Sequence, residues 1–193
     1  ILEHFLDKQF GGVYWELDYL GHPVNDRKQF YALGFVIYGL TEYVRATGDV
    51  AVLPYAIDLY HCLEQHAWDP KQGGYIEATR RDWSKIEDYR LSEKDLNAPK
   101  SQNTHLHILE PYTNLYRVWR TEELKQSILR LIDVFKNHII QPDGHMGLFF
   151  DMDWQPMNNA HSCGHDIEFS WLLDEACEVI GVSEDETVCR VAQ

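Results

Sequence analysis

The feature that most limits what this chain can fold into is a Gly-rich motif that returns along its 193 residues. Asp7-Lys8-Gln9-Phe10-Gly11-Gly12-Val13-Tyr14 is echoed by Asp69-Pro70-Lys71-Gln72-Gly73-Gly74-Tyr75-Ile76, an offset of 69 − 7 = 62 residues. A looser third copy is Pro142-Asp143-Gly144-His145-Met146-Gly147-Leu148-Phe149. Each copy is followed by an acidic–aromatic pair: Asp18-Tyr19, Asp82-Trp83 and Asp153-Trp154.

Between the motifs the apolar period is helical. Phe30, Leu33, Ile37, Leu40 and Val44 fall three or four apart, as do Val52, Ala56, Leu59 and Leu63. The same spacing holds for Leu106, Leu109, Thr113 and Tyr116, and for Leu124, Ile128, Leu131 and Phe135. Ile167, Trp171 and Leu172 open a further helix, and Thr47-Gly48-Asp49 and Ile180-Gly181 read as helix stops. The unit is therefore a Gly-rich turn, a short β-hairpin and two helices, repeated not quite three times. Such units stack into an open solenoid or close into an α/α toroid. If the toroid has six hairpins, residues 1–193 make a partial domain of about half of it, with repeats missing at both ends.

Aromatic residues crowd the Gly-rich segments: Tyr14, Trp15, Tyr75, Trp83, Phe149, Phe150 and Trp154. At the mouth of a toroid they would suit sugar rings, and packing within the loop layer explains most of them equally well. Charge narrows the partners. With 17 basic and 31 acidic side chains the net charge is −14, which repels nucleic acid and anionic membranes. No apolar run approaches the roughly 18 residues needed to span a bilayer. Cys62, Cys163, Cys177 and Cys189 are scattered, three of them on helical segments, as expected of reduced thiols in a cytoplasmic protein.

Two histidine-bearing segments stand out. On a helix, Asn103, His107 and Glu110 share one face, with His105 on the far side. A polar stripe on an otherwise apolar helix must face a cavity or a satisfied network. In the second segment, His165 lies near a helix start with Glu168 three residues on, an imidazole–carboxylate arrangement suited to general acid/base work. A metal held by His161, His165 and Glu168 is a weaker reading, since the spacing matches no zinc pattern. Gly-x-Gly-x-x-Gly, Walker and Gly-x-Ser-x-Gly motifs are absent from the sequence.

Gly11-Gly12-Val13-Tyr14-Trp15, the run from Lys100 to Glu110, and Gly164-His165-Asp166-Ile167-Glu168 resemble the N-acylglucosamine 2-epimerase superfamily. The last motif, followed by Trp171-Leu172-Leu173-Asp174-Glu175-Ala176, is most similar to the cellobiose 2-epimerase branch. The resemblance implies an (α/α)6 barrel of about twice this length, monomeric or homodimeric when complete, and a sugar substrate handled without metal or redox cofactor. It implies that a histidine removes the C2 proton of the opened sugar and that a second returns one to the opposite face of a cis-enediolate.

Position by position, the resemblance makes His165 an acid/base histidine with Glu168 as companion, and His107 the histidine near the C1 and C2 oxygens. Asn103, Tyr31 and Asp95 match substrate-contacting positions. The family's other acid/base histidine falls beyond Gln193 and an enediolate-binding arginine before Ile1, so the fragment alone is expected to be inactive. Rivals are an aldose–ketose isomerase, an N-acylglucosamine epimerase, and a glycoside hydrolase using two of Asp95, Glu110 and Glu168. Outside catalysis stands a truncated relative that only binds carbohydrate or protein.

Overall fold

The computed structural model describes residues 1–182. Five helices carry the fold: α1 (Phe30–Thr47), α2 (Leu53–His66), α3 (Gln102–Val118), α4 (Glu122–Val134) and α5 (Cys163–Ile180). A π turn over Phe135–Ile139 extends α4. α1 packs on α2 and α3, and α3 packs on α4 and α5. This makes α1, α3 and α5 one layer backed by α2 and α4, two and a half helical hairpins as expected for half of an (α/α)6 barrel. Phe30, Leu33, Ile37, Leu40 and Val44 are all buried, as their spacing requires. α1 ends at Gly48 and α5 at Gly181, both left-handed.

One apolar expectation needs correction. Ile167 and Trp171 are 71% and 53% exposed, and α5 starts earlier, at Cys163. The buried face of α5 is Phe169, Leu172, Leu173, Ala176 and Ile180. Positions four apart share a helix face, so Ile167 and Trp171 form a second apolar stripe turned away from that core. Leu6–Val13, Trp68–Tyr75 and Ile140–Met146 bridges close the three Gly-rich turns, the third one residue shorter.

The strands also differ from expectation. Among the described residues β1 (Glu16–Leu17) and β2 (Pro23–Asn25) form a hairpin within a unit, and a single antiparallel bridge, Phe150–Pro156, does so in the third. β3 (Lys28–Gln29) pairs with β4 (Ala78–Thr79) of the next unit, and β5 (Lys100–Ser101) with β6 (Phe149–Phe150) of the one after. The strands thus staple one repeat to the next, each just ahead of a front-layer helix.

A buried clasp accompanies each staple. Asp7 Oδ1 accepts the N–H groups of Gln9 and Phe10, while Oδ2 accepts from Lys28 Nζ at 2.8 Å. Asp69 Oδ1 accepts from Lys71 and Gln72, and its Oδ2 from Lys100 Nζ at 2.8 Å. Trp83 and Trp154 cover these lysines, at 5.4 and 4.5 Å from the ring centroids. Their indole N–H groups donate to the carbonyls of Phe10 and Gln72. A Cβ on Gly74 would stand 2.3 Å from the Trp154 ring, so this turn needs glycine for clearance as well as for its positive φ of 78°. Trp154, Tyr75 and Phe150 are buried, so the loop-layer explanation holds for them.

No helix among the described residues is long and apolar enough to cross a membrane. Cys62, Cys163 and Cys177 form no disulfide among the described residues. Cys189 lies outside them.

Candidate active site

The first turns of α3 and α5 bring two of the predicted residues, Asn103 and His165, to one cavity. Ser101 caps α3, its Oγ accepting from Thr104 N–H at 3.1 Å, and this sets Asn103 in the opening turn. Ser162 caps α5 in the same way through His165 N–H, 3.4 Å away. Between these two helix starts and the loop over residues 89–98 lies a cavity of about 240 Å³. Asp95, Asn103 and His165 all line it.

Tyr31 and His107 do not line this cavity but meet each other. The Tyr31 ring stands edge-on to His107 at 5.2 Å, and Phe35 leans on the same imidazole at 5.0 Å. α1 approaches this closely because residue 34 is glycine: a Cβ there would sit 2.5 Å from the His107 carbonyl oxygen. Pro111, four residues on, has no N–H to donate to that carbonyl.

His107 is buried, and its Nδ1 lies 3.2 Å from Glu110 Oε2. A carboxylate only accepts, so Nδ1 donates to it and Nε2 is the ring atom left to meet a substrate. His165 is arranged differently. Its Nδ1 is buried without a hydrogen-bond partner, and no hydrogen bond joins it to Glu168. Sharing a helix face brought the two residues near each other without pairing them. The charge of Glu168 acts on Tyr31 instead. Burial pushes the Tyr31 phenol up, and the negative charges of Glu168 and Glu110 push it further.

Asp166 is engaged elsewhere. Its Oδ2 accepts from His145 Nδ1 at 2.8 Å and its Oδ1 from Met146 N–H at 3.1 Å, which ties α5 to the third Gly-rich turn. Asp95 has a local task as well as its place in the cavity wall. Its Oδ2 accepts from the Ser92 N–H and hydroxyl at 2.8 and 3.0 Å.

His105 points away from His107, as the helical spacing requires. Its Nδ1–H donates to the Ser101 carbonyl at 2.6 Å, and its Nε2 accepts from Tyr75 N–H at 2.8 Å. Burial pushes its pKa down to about 3, which marks it as a neutral structural imidazole. Among the described residues no group of three or more His, Cys, Asp or Glu side chains is placed to hold a metal ion.

Sequence reasoning missed Glu77, Gln102 and Arg90, which line the same cavity. For Glu77 a signal existed. The period of two in an extended segment puts it on the same side as the buried Tyr75.

These elements have close counterparts in known proteins. The N-acylglucosamine 2-epimerase (GlcNAc 2-epimerase) family model matches residues 1–181. The chain is 53% identical to a cellobiose 2-epimerase from Bacteroides fragilis, the match covering 98% of this chain and 50% of that protein. The solved cellobiose 2-epimerase of Bacillus thermoamylovorans superposes with a TM-score of 0.92 at 40% identity, over 98% of this chain and 49% of that one. A family 76 glycoside hydrolase (mannosidase) from Bacteroides thetaiotaomicron superposes at 0.70 with 11% identity, over 98% of this chain and 48% of that one, a likeness of fold alone. The chain thus spans about half the length of the relatives it matches. Carried across both Gly-rich clasps and all three site-bearing helices, the match to residues 1–181 makes this chain a member of the N-acylglucosamine 2-epimerase family.

Proposed function

We propose that the protein to which these residues belong is a sugar 2-epimerase acting on the reducing-end glucose of a β-1,4-linked disaccharide such as cellobiose. The observations that carry this reading are the meeting of Tyr31 with a Glu110-held His107, and a cavity lined by Asn103, Asp95 and His165, of which Asn103 shares α3 with His107. In this reading the sugar ring opens and an imidazole takes the proton from C2. The C–H electron pair becomes the C1–C2 double bond of an enediolate, and the charge moves to the C1 oxygen. A proton returned to the opposite face of C2 restores the aldehyde with inverted configuration.

His165, with an uncommitted Nδ1, serves as one acid/base group. His107 and Asn103 hold the oxygens at C1 and C2, where developing charge must be stabilised for C2 to lose a proton. Tyr31 and Asp95 position the sugar, and Glu168 supplies negative charge beside Tyr31. The second acid/base histidine comes from a part of the barrel outside these 193 residues.

Proton NMR of cellobiose incubated with the complete gene product tests the reading. A mannose-type anomeric signal is the expected product. A fructose-type product would move the reading to an aldose–ketose isomerase, which returns the proton to C1. Cleavage to glucose would make it a hydrolase.

A further inference from the structure

Two buried polar residues of the cavity wall are left with incomplete hydrogen bonding in the fold. Glu77 and Gln102 are 4% and 0% exposed, and both line the cavity. Glu77 Oε2 accepts from Thr104 Oγ1 at 2.7 Å. Its Oε1, and both the oxygen and the nitrogen of the Gln102 amide, have no hydrogen-bond partner. Buried polar atoms are nearly always satisfied, so three unpartnered ones on two residues of one cavity wall mark it as a place where a polar ligand can complete the hydrogen bonding. We propose that Glu77 and Gln102 bind a vicinal hydroxyl pair of a neutral sugar, Glu77 donating through a protonated Oε1 and Gln102 offering its amide as both donor and acceptor.

The surroundings support a neutral Glu77. Burial pushes its pKa up to about 8, against partial relief from Thr104 and Ser101, and the charge of Asp95 adds to the rise. The other charged or titratable groups near it are Arg27, which feels its charge, and Tyr89, Arg90 and His165 in the cavity wall, the Tyr89 phenol being pushed up by burial. At neutral pH the carboxyl is thus mainly a donor, and a sugar hydroxyl can accept from it.

The proposal rests on the sugar-epimerase reading, and its test separates the two. KM for cellobiose is measured with the complete gene product from pH 7 to pH 9, following deuterium entry at C2 in D2O. With a pKa of about 8 the protonated fraction falls about tenfold over that range, so KM rises about tenfold in the wild type. Glu77→Gln keeps a donor and cannot ionise, and its KM is the same at both ends. A wild-type KM that stays flat, or an unchanged rise in Glu77→Gln, overturns the assignment. Gln102→Leu raises KM at pH 7 more than it lowers kcat, while thermal unfolding shows that it still folds. An equal fall in kcat with KM unchanged counts against a binding role.

A wild type that exchanges no deuterium refutes the epimerase reading. Glu77 is then tested by calorimetric binding of cellobiose, glucose and mannose to the wild type and Glu77→Gln at the same two pH values. Loss of affinity at pH 9 confined to the wild type upholds it, and equal affinities or no binding overturn it.

Discussion

Replacing Lys100 by methionine removes the cation from the second inter-repeat clasp while nearly preserving its volume. Lys100 is fully buried, and its ammonium donates to Asp69 Oδ2 at 2.8 Å, to the Gly73 carbonyl at 2.9 Å and to the Met152 carbonyl at 3.0 Å. The Asp69 side chain is only 6% exposed, so the variant strands a carboxylate away from water. Breaking a buried pair on one side costs about 3–5 kcal/mol. For a cooperative unit of this size, about 2–4 °C of melting temperature goes with each kcal/mol, which gives a fall of roughly 6–20 °C.

The same reasoning predicts a rescue. Adding Asp69→Asn removes the stranded charge and keeps the Oδ1 that accepts from Lys71 and Gln72, so the double variant melts above Lys100→Met. Burial alone would raise the Asp69 pKa, but Lys100 and those two N–H groups reverse the effect, and it lies below the usual carboxylate range. A lowered carboxylate pKa stabilises the fold above the unfolded value of about 4 and is lost as pH falls through the folded one. Lys100→Met therefore flattens the acid limb of stability below about pH 4. Thermal unfolding by circular dichroism reads all three effects. A loss under about 2 °C in the single variant, or a double variant less stable than it, would refute the clasp as described.

Gly34→Ala drives a methyl against the His107 carbonyl and costs about 1–3 kcal/mol, whereas Gly39→Ala in the same helix meets open space and gains about 0.5–1 kcal/mol; denaturant unfolding of the pair tests this. His105 is held neutral with a folded pKa of about 3, against an unfolded value near 6.5. Between those values the unfolded chain binds more protons, so stability falls as pH drops from about 6.5 toward about 3. Wild type minus His105→Gln, measured by urea unfolding at several pH values, isolates that slope. The His145 pKa is raised by its hydrogen bond to Asp166, and NMR titration should show the rise lost in Asp166→Asn.

Much of this architecture is legible in the sequence because helical periodicity is a repeated, redundant signal. α1 to α4 bury most of the residues that their spacing picked out, Val52 and Tyr116 being only half-buried, and the Asn103–His107–Glu110 stripe faces where a polar stripe must. What the sequence conceals has physical causes. Two-residue strands carry no period, so the pairing of Lys28 with Thr79 and of Lys100 with Phe150 leaves no trace. A buried lysine reads like a surface one until its aspartate and tryptophan are seen around it. Ile167 and Trp171 show the opposite failure, because hydrophobicity cannot say which of two apolar stripes a neighbouring helix covers. His165 and Glu168 share a face without bonding, since spacing fixes direction and not partner. Glu77 escaped notice because a carboxylate just ahead of a two-residue strand looks exposed unless the residue two positions away, Tyr75, is known to be buried.

The account stands or falls on proton transfer at C2 through His165. The most direct measurement is deuterium entry at C2 of cellobiose in D2O, followed by NMR, for the complete gene product and for its His165→Asn variant at equal folded concentration. General acid/base groups of this kind contribute about 10²–10⁴-fold. Label should therefore enter C2 in the wild type, with exchange in the variant slower by at least about 10²-fold. Exchange that persists within a few-fold of wild type in His165→Asn would contradict the role assigned to this residue.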